Sequence, residues 1–103
     1  MTEEQEKKIA GYIGIAHNAG KVAAGDAAVR TALSGKKVKM IFIAEDTSIK
    51  IKEEFIALAK AKSLPVINWR DKDSLGLIVG KSKRGALALL DEGFANAINK
   101  VLK

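Results

Sequence analysis

Cysteine is absent from this chain of 103 residues. That removes disulfide staples, thiolate metal sites and thiol nucleophiles together, and it fits a reducing compartment. Proline and histidine each occur once. A lone histidine, His17, cannot anchor a metal cluster, and no serine, histidine and acid constellation can be built around it. One proline and no low-complexity stretch leave no linker, so residues 1–103 are read as a single domain. Long apolar runs are also missing. None exceeds five residues; one of these, Met40 to Ala44, suits a buried strand and falls far short of a bilayer span. The charged start, Met1 to Lys8, is not followed by the apolar core of a signal peptide. The expectation is a soluble, cytoplasmic protein with no membrane contact.

What the chain has is positive charge. It carries 18 lysines and arginines against 12 acids, a net +6, with an isoelectric point near 9.7. The acids divide evenly, six in residues 1–50 and six in 51–103, and the bases divide eight and ten. There is no basic tail, so any basic surface must be assembled by folding. A positive field attracts polyanions, and nucleic acid is the commonest of these in a cytosol. Charge alone is equally compatible with mere solubility.

Periodicity predicts alternating helices and strands. Residues 3–19 read as a helix, with Ile9, Tyr12, Ile13 and Ala16 at helical spacing and Gly20 at the stop. Lys21 to Ala24 reads as a short edge strand. Residues 26–34 follow as a helix with Ala28, Val29, Ala32 and Leu33 on one face. Lys39 to Ala44 is apolar enough for a central strand buried on both faces. Thr47-Ser48 caps a helix to about Lys62, whose inner stripe is Ile49 or Ile51 with Phe55, Leu58 and Ala59. A strand at Leu64–Asn68, a helix at 71–79 capped by Asp71 or Ser74, a strand at Gly85–Leu90 and a helix capped by Asp91 complete the chain. This order predicts an α/β fold: a three-layer α/β/α sandwich around a sheet of about four strands.

Two stretches imitate nucleotide chemistry. Gly76-Leu-Ile-Val-Gly-Lys-Ser82 has three residues between its glycines where a phosphate loop needs four. It also follows a helix and precedes a strand, the reverse of that motif's setting. Met40 to Asp46 resembles a magnesium-holding strand end, but it precedes the loop in a chain too short for that fold. Glu53-Glu54 and Asp91-Glu92 read as an exposed helix face and a helix start. Trp69-Arg70 could stack on a base, although a lone tryptophan at a strand end more often covers core. No enzyme, cofactor or small-molecule substrate is expected.

Three blocks in register carry a resemblance: Gly14-Ile-Ala-His-Asn-Ala-Gly-Lys21 with Gly25 close behind, Lys39-Met-Ile-Phe-Ile-Ala-Glu-Asp46, and Leu75 to Arg84 running into Asp91-Glu-Gly-Phe94. Together they resemble the YlxQ-type bacterial ribosomal-protein-like family, part of the L7Ae/L30e superfamily, many of whose members recognise a kink-turn in RNA. The resemblance covers roughly Ile9 to Leu102. It implies the same sandwich fold and an RNA grip where the first strand meets the second helix. There Gly25 matches the family glycine. The base-reading asparagine and glutamate fall on Ala27 and Ala28, and the lysine falls on Thr31, while Asp26 and Arg30 stand out of register. Glu45 matches an acidic position near the RNA face, and Val79-Gly80-Lys81-Ser82-Lys83-Arg84 matches the loop over a flipped-out nucleotide. Phosphate contacts of the kind this loop offers position a protein without reading sequence. Lys21, adjacent to the Gly25 turn, and the cluster Lys36, Lys37 and Lys39 are further basic candidates.

The reading is thus a non-catalytic, monomeric RNA-binding protein docking on structured RNA, kink-turn-like or ribosomal, through a basic face. The competing reading is a protein-interaction adaptor that has kept the fold and lost RNA contact, motivated by the smooth apolar patch of Ala27 and Ala28.

Overall fold

The computed structural model describes residues 1–35 and 37–103. The elements run α1 (Glu3–Asn18), β1 (Val22–Ala24), α2 (Asp26–Ser34), β2 (Met40–Ile43), α3 (Ile49–Ala61), β3 (Val66–Asn68), α4 (Lys72–Ile78), β4 (Ala86–Leu89) and α5 (Glu92–Leu102). Every helix and strand expected from the periodicity is present, and the strand ends are trimmed by one or two residues.

Helix starts follow capping chemistry. Thr2 Oγ1 accepts from Gln5 N–H while Gln5 Oε1 accepts from Thr2 N–H, a reciprocal box that starts α1. Ser48 caps α3 by accepting from Ile51 N–H. Of the two candidates for α4, Asp71 is the cap and Ser74 is its donor. Asp91 accepts from Phe94 N–H to start α5.

The sheet order is β1-β4-β2-β3. Strand β4 pairs antiparallel with both β1 and β2, and β2 pairs parallel with β3. The three parallel strands therefore end at the edge where β4 begins. Strand β1 lies at the sheet's border, as expected, and β2 lies inside.

Alternation along the central strands sorts the core into two layers. Met40 and Phe42 of β2 and Leu87 and Leu89 of β4 face α1, α4 and α5, joined by Ile9, Ile13, Leu75 and Ile98. Ile41 and Ile43, with Ala86 and Ala88, face α2 and α3, joined by Val29, Leu33, Phe55 and Ala59. Strand β4 puts leucines on one face and alanines on the other, so α2 approaches the sheet closely over the alanines. Phe42 and Phe55 are fully buried, and each such side chain stabilises the fold by about 1.5–3 kcal/mol through desolvation.

Some inner-stripe expectations are corrected. Ala28 is exposed, because α2 turns its Val29–Leu33 ridge to the sheet. Tyr12 is half-buried at the margin of the core. Of the pair Ile49 and Ile51, Ile51 packs inward and Ile49 is 73% exposed. Trp69 covers the core: it is 3% exposed, tilts against Phe42 at 5.6 Å and donates from Nε1 to Glu6 Oε1 at 2.7 Å. No helix among the described residues is long and apolar enough to cross a membrane.

Candidate nucleic-acid interface

Four segments meet where the parallel strands end: the Gly25 turn, Glu45–Thr47, Trp69–Asp71 and the Arg84–Gly85 end of the loop that starts at Gly80. Ligands of open α/β sheets bind outside such carboxyl ends. The chain path fixes the junction. Gly25 N–H donates to Ala86 O at 2.8 Å, Ala44 N–H to Gly85 O at 2.9 Å and Glu45 N–H to Arg70 O at 2.8 Å.

Gly25 is required there on two counts. Its φ of +98° with ψ of 160° is a conformation that side chains rarely adopt. A Cβ on it would also stand 3.1 Å from Cδ of Arg84. The turn from β1 into α2 and the basic loop are thus in contact, although they are far apart in sequence. Helix α2 has no side-chain cap. Its first helical bond is Val29 N–H to Gly25 O, which leaves the preceding amides outside the helix ladder. Free amides at a helix start, aided by the helix dipole, favour phosphate.

The basic loop is held from both sides. Arg84 Nη1 donates to the Lys83 and Ser82 carbonyls and to Ser82 Oγ, at 2.9 to 3.2 Å. Arg84 N–H donates to Lys72 O, and Lys81 N–H donates to Gly76 O. Gly80 takes a φ of +67° to turn the loop. Lys81, Ser82 and Lys83 are exposed, and neither lysine pairs with a carboxylate among the described residues. Val79 is the exception in this stretch. Its side chain is 4% exposed within the core, so it supports the loop from below.

Glu45 is exposed beside the junction, and its carbonyl accepts from Lys52 Nζ at 2.5 Å. The structure brings Gly25 and Glu45 to the Arg84–Gly85 end of the basic loop, and it separates the candidate cations Lys21 and Lys37 from them. Lys21 precedes β1 at its opposite end, four residues and about 13 Å of extended chain from Gly25. Lys37 likewise lies before β2, at that far end. Lys36 lies outside the described residues.

The out-of-register residues on α2 do not replace the missing base readers. Arg30 makes a bidentate pair with Glu54, at 2.6 and 2.9 Å, and stacks over Phe55 at 5.6 Å. This hydrogen-bonded pairing raises the Arg30 guanidinium above its ordinary value and holds the Glu54 carboxyl below its own. Asp26 turns inward, with Oδ1 buried and unpartnered beneath Gly85. Ala27, Ala28 and Thr31 stand exposed.

Sequence reasoning missed the residues that support this end. A Cβ on Gly76 would lie 2.0 Å from Ser82 O, and one on Gly85 would lie 2.5 Å from Thr47 Oγ1. Thr47 was expected as a cap; it is buried instead and donates to Gly85 O at 3.2 Å. Asp46 accepts from Lys72 N–H, tying the β2 end to the start of α4. The available signal was Gly76 itself, since a glycine inside a helical pattern implies a packing reason.

Fold and site together define a class: a small α/β/α sandwich that presents an uncapped helix start beside a cationic loop at one end of its sheet. The chain belongs to the Ribosomal protein L7Ae/L30e/S12e/Gadd45 family, whose model matches residues 7–99. The YlxQ-type resemblance is met by two relatives. RNA-binding protein YlxQ of Bacillus subtilis (strain 168) is 27% identical over 90 residues, covering 87% of this chain and 90% of that protein. RNA-binding protein YlxQ of Enterococcus faecium is 23% identical over 103 residues, covering 100% and 99%. Among solved structures, a protein of unknown function from Bacillus halodurans C superposes with a TM-score of 0.86 at 22% identity, covering 92% and 96% of the two chains. The Giardia lamblia 15.5kD RNA binding protein superposes at 0.83 with 15% identity, covering 99% and 88%. The α/β/α sandwich expected from the sequence is the fold these structures share.

Proposed function

We propose that this protein is a non-catalytic RNA-binding protein of the cytoplasm that docks on structured RNA through the end of the sheet where Gly25 meets Arg84. The observation that carries the reading is that contact. It joins the open amides of α2 to the cations Lys81, Lys83 and Arg84 in one surface. Relatives named as RNA-binding proteins, matching 87% and 100% of the chain, support the same reading. The grip is on the phosphate backbone. Alanines at 27 and 28 leave the amides uncovered, yet they make none of the bidentate base contacts that each carry about 1–3 kcal/mol of discrimination. The RNA is therefore a folded one, ribosomal or kink-turn-like in shape, recognised by its backbone path.

Backbone binding releases counterions, so affinity should fall steeply with salt. Lys83→Glu with Arg84→Glu should abolish retention of cellular RNA, and Lys81→Glu with Lys83→Glu, which keeps the Arg84 contacts, should do so while the thermal unfolding midpoint stays near that of wild type. A flat salt response, or full retention by either variant, overturns the proposal. The exposed Ala27 and Ala28 favour one other reading, a protein adaptor. An adaptor would keep its partner in the charge-reversed variants.

A further inference from the structure

The end of the sheet opposite the Gly25 junction carries a second cationic surface. Lys39 N–H donates to Leu89 O and Leu90 N–H donates to Lys21 O, so Lys21 and Lys39 flank the finish of β4. Two strand spacings, about 10 Å, separate their backbones. Beside Lys39 an open cleft of about 400 Å³ lies between the ends of α2 and α3, walled by Gly35, Val38, Lys39, Lys62, Leu64 and Pro65. Lys21, Lys37 and Lys62 are exposed, and Lys39 is half-buried in the cleft wall. Among the described residues none of the four pairs with a carboxylate, whereas Lys7, Lys8, Arg30 and Arg70 all do. Asp91 and Glu92, which follow β4 at this end, start α5 in the other helical layer, and Asp91 is engaged as a cap.

Helix ends alone do not account for these cations. The end of α3 is closed by its own backbone: Lys62, Ser63 and Leu64 N–H groups donate to Ala59 and Lys60 carbonyls, with Ser63 at a φ of +56°. Its last turn already carries Lys60. Like charges gathered around a concavity repel one another and focus a positive potential outward. A polyanion with regularly spaced charges relieves that repulsion. Lys21 and Lys39 open at the side of the sheet covered by α2 and α3, and they face away from the Gly25 end. In a molecule of 30 × 25 × 25 Å, one straight helical segment cannot lie on both ends.

We propose that Lys21, Lys37, Lys39 and Lys62 form a second RNA-backbone contact, so that one protein bridges two RNA segments. This rests on the reading of the Gly25–Arg84 end as the first contact. The test uses a short A-form RNA duplex as probe, immobilised to capture the protein, followed by the same duplex carrying a label. At low salt the wild-type monomer, checked by light scattering, should capture the labelled duplex at a second site. Lys39→Glu with Lys62→Glu should still bind the immobilised duplex and lose capture of the second at least tenfold. The milder Lys39→Gln with Lys62→Gln pair should lower the salt slope of the second event by about 2. Circular dichroism melting establishes that both variants fold.

Binding of a single duplex by wild type, or bridging unchanged in both far-end variants, overturns the second contact and leaves the first standing. A far end that captures an acidic protein and no duplex overturns it equally. If Lys83→Glu with Arg84→Glu binds and bridges as wild type does, the first contact is wrong and bridging as proposed falls with it.

Discussion

Single residues decide whether the two halves of the interface can meet. Gly25 adopts backbone angles that a side chain resists, and a Cβ on it would press to 3.1 Å from Arg84 Cδ. Gly25→Ala should destabilise the fold by about 1–3 kcal/mol, measured by urea unfolding, and should weaken RNA retention beyond the loss of stability. An unchanged midpoint would mean that the turn has a second, unstrained geometry. Acid sensitivity also belongs at this scale. The Asp71 carboxyl is held below its ordinary range chiefly by the Ser74 N–H it caps, and Glu54 is held down by Arg30. Both pKa values are lower in the fold than in the unfolded chain. Their stabilisation is therefore complete above the unfolded carboxylate range and is lost as pH falls below about 4. Asp71→Asn with Glu54→Gln should flatten the acid side of a stability profile measured by thermal unfolding between pH 2 and 7.

At the scale of elements, α4 and the loop after it act as one unit. The loop folds back over Gly76, whose missing side chain admits the Ser82 carbonyl. Gly76→Ala should displace Lys81 and Ser82, cost about 1–3 kcal/mol of overpacking, and reduce RNA affinity through the loop; amide exchange across residues 80–84 would report the displacement. Helix α2 is the other decisive element. Its ridge of Val29 and Leu33 fixes which residues face outward, and Ala27, Ala28 and Thr31 are among them. Installing Ala27→Asn, Ala28→Glu and Thr31→Lys should convert backbone binding into recognition of a standard kink-turn, with at least a tenfold gain over an unkinked control duplex in a filter-binding assay. No gain would show that the face departs from the family in more than these side chains.

The whole molecule sets the balance between attraction and specificity. A net charge of +6 attracts polyanions, but it takes the fold to distribute that charge between two ends of a sheet. Binding at the Gly25 end alone should lose affinity with added salt at a slope close to the number of phosphates neutralised there, about three for Lys81, Lys83 and Arg84. A titration of retained RNA against salt in a background with Lys21, Lys37, Lys39 and Lys62 all changed to Gln measures this end by itself. A slope near zero would remove backbone contact as its basis.

Much of this was legible in the sequence because it is local. Helix caps, the period of the apolar residues and the uninterrupted run at Met40 to Ala44 depend on neighbours a few residues apart, and they specified the elements and their alternation. The three blocks in register pointed to the family, and with it to Gly25 and the Gly80–Arg84 loop. What the sequence could not supply was distance through space. Lys21 looks adjacent to Gly25 until an extended strand is drawn between them, and then it belongs to the opposite end. Arg30 looks available until Glu54, 24 residues on, takes its guanidinium. Thr47 reads as a cap until the fold turns it inward beneath Gly85. Local chemistry determined which elements form and which residues carry charge; tertiary packing alone decided which charges share an end, because strand pairing joins residues remote in the chain and separates near ones.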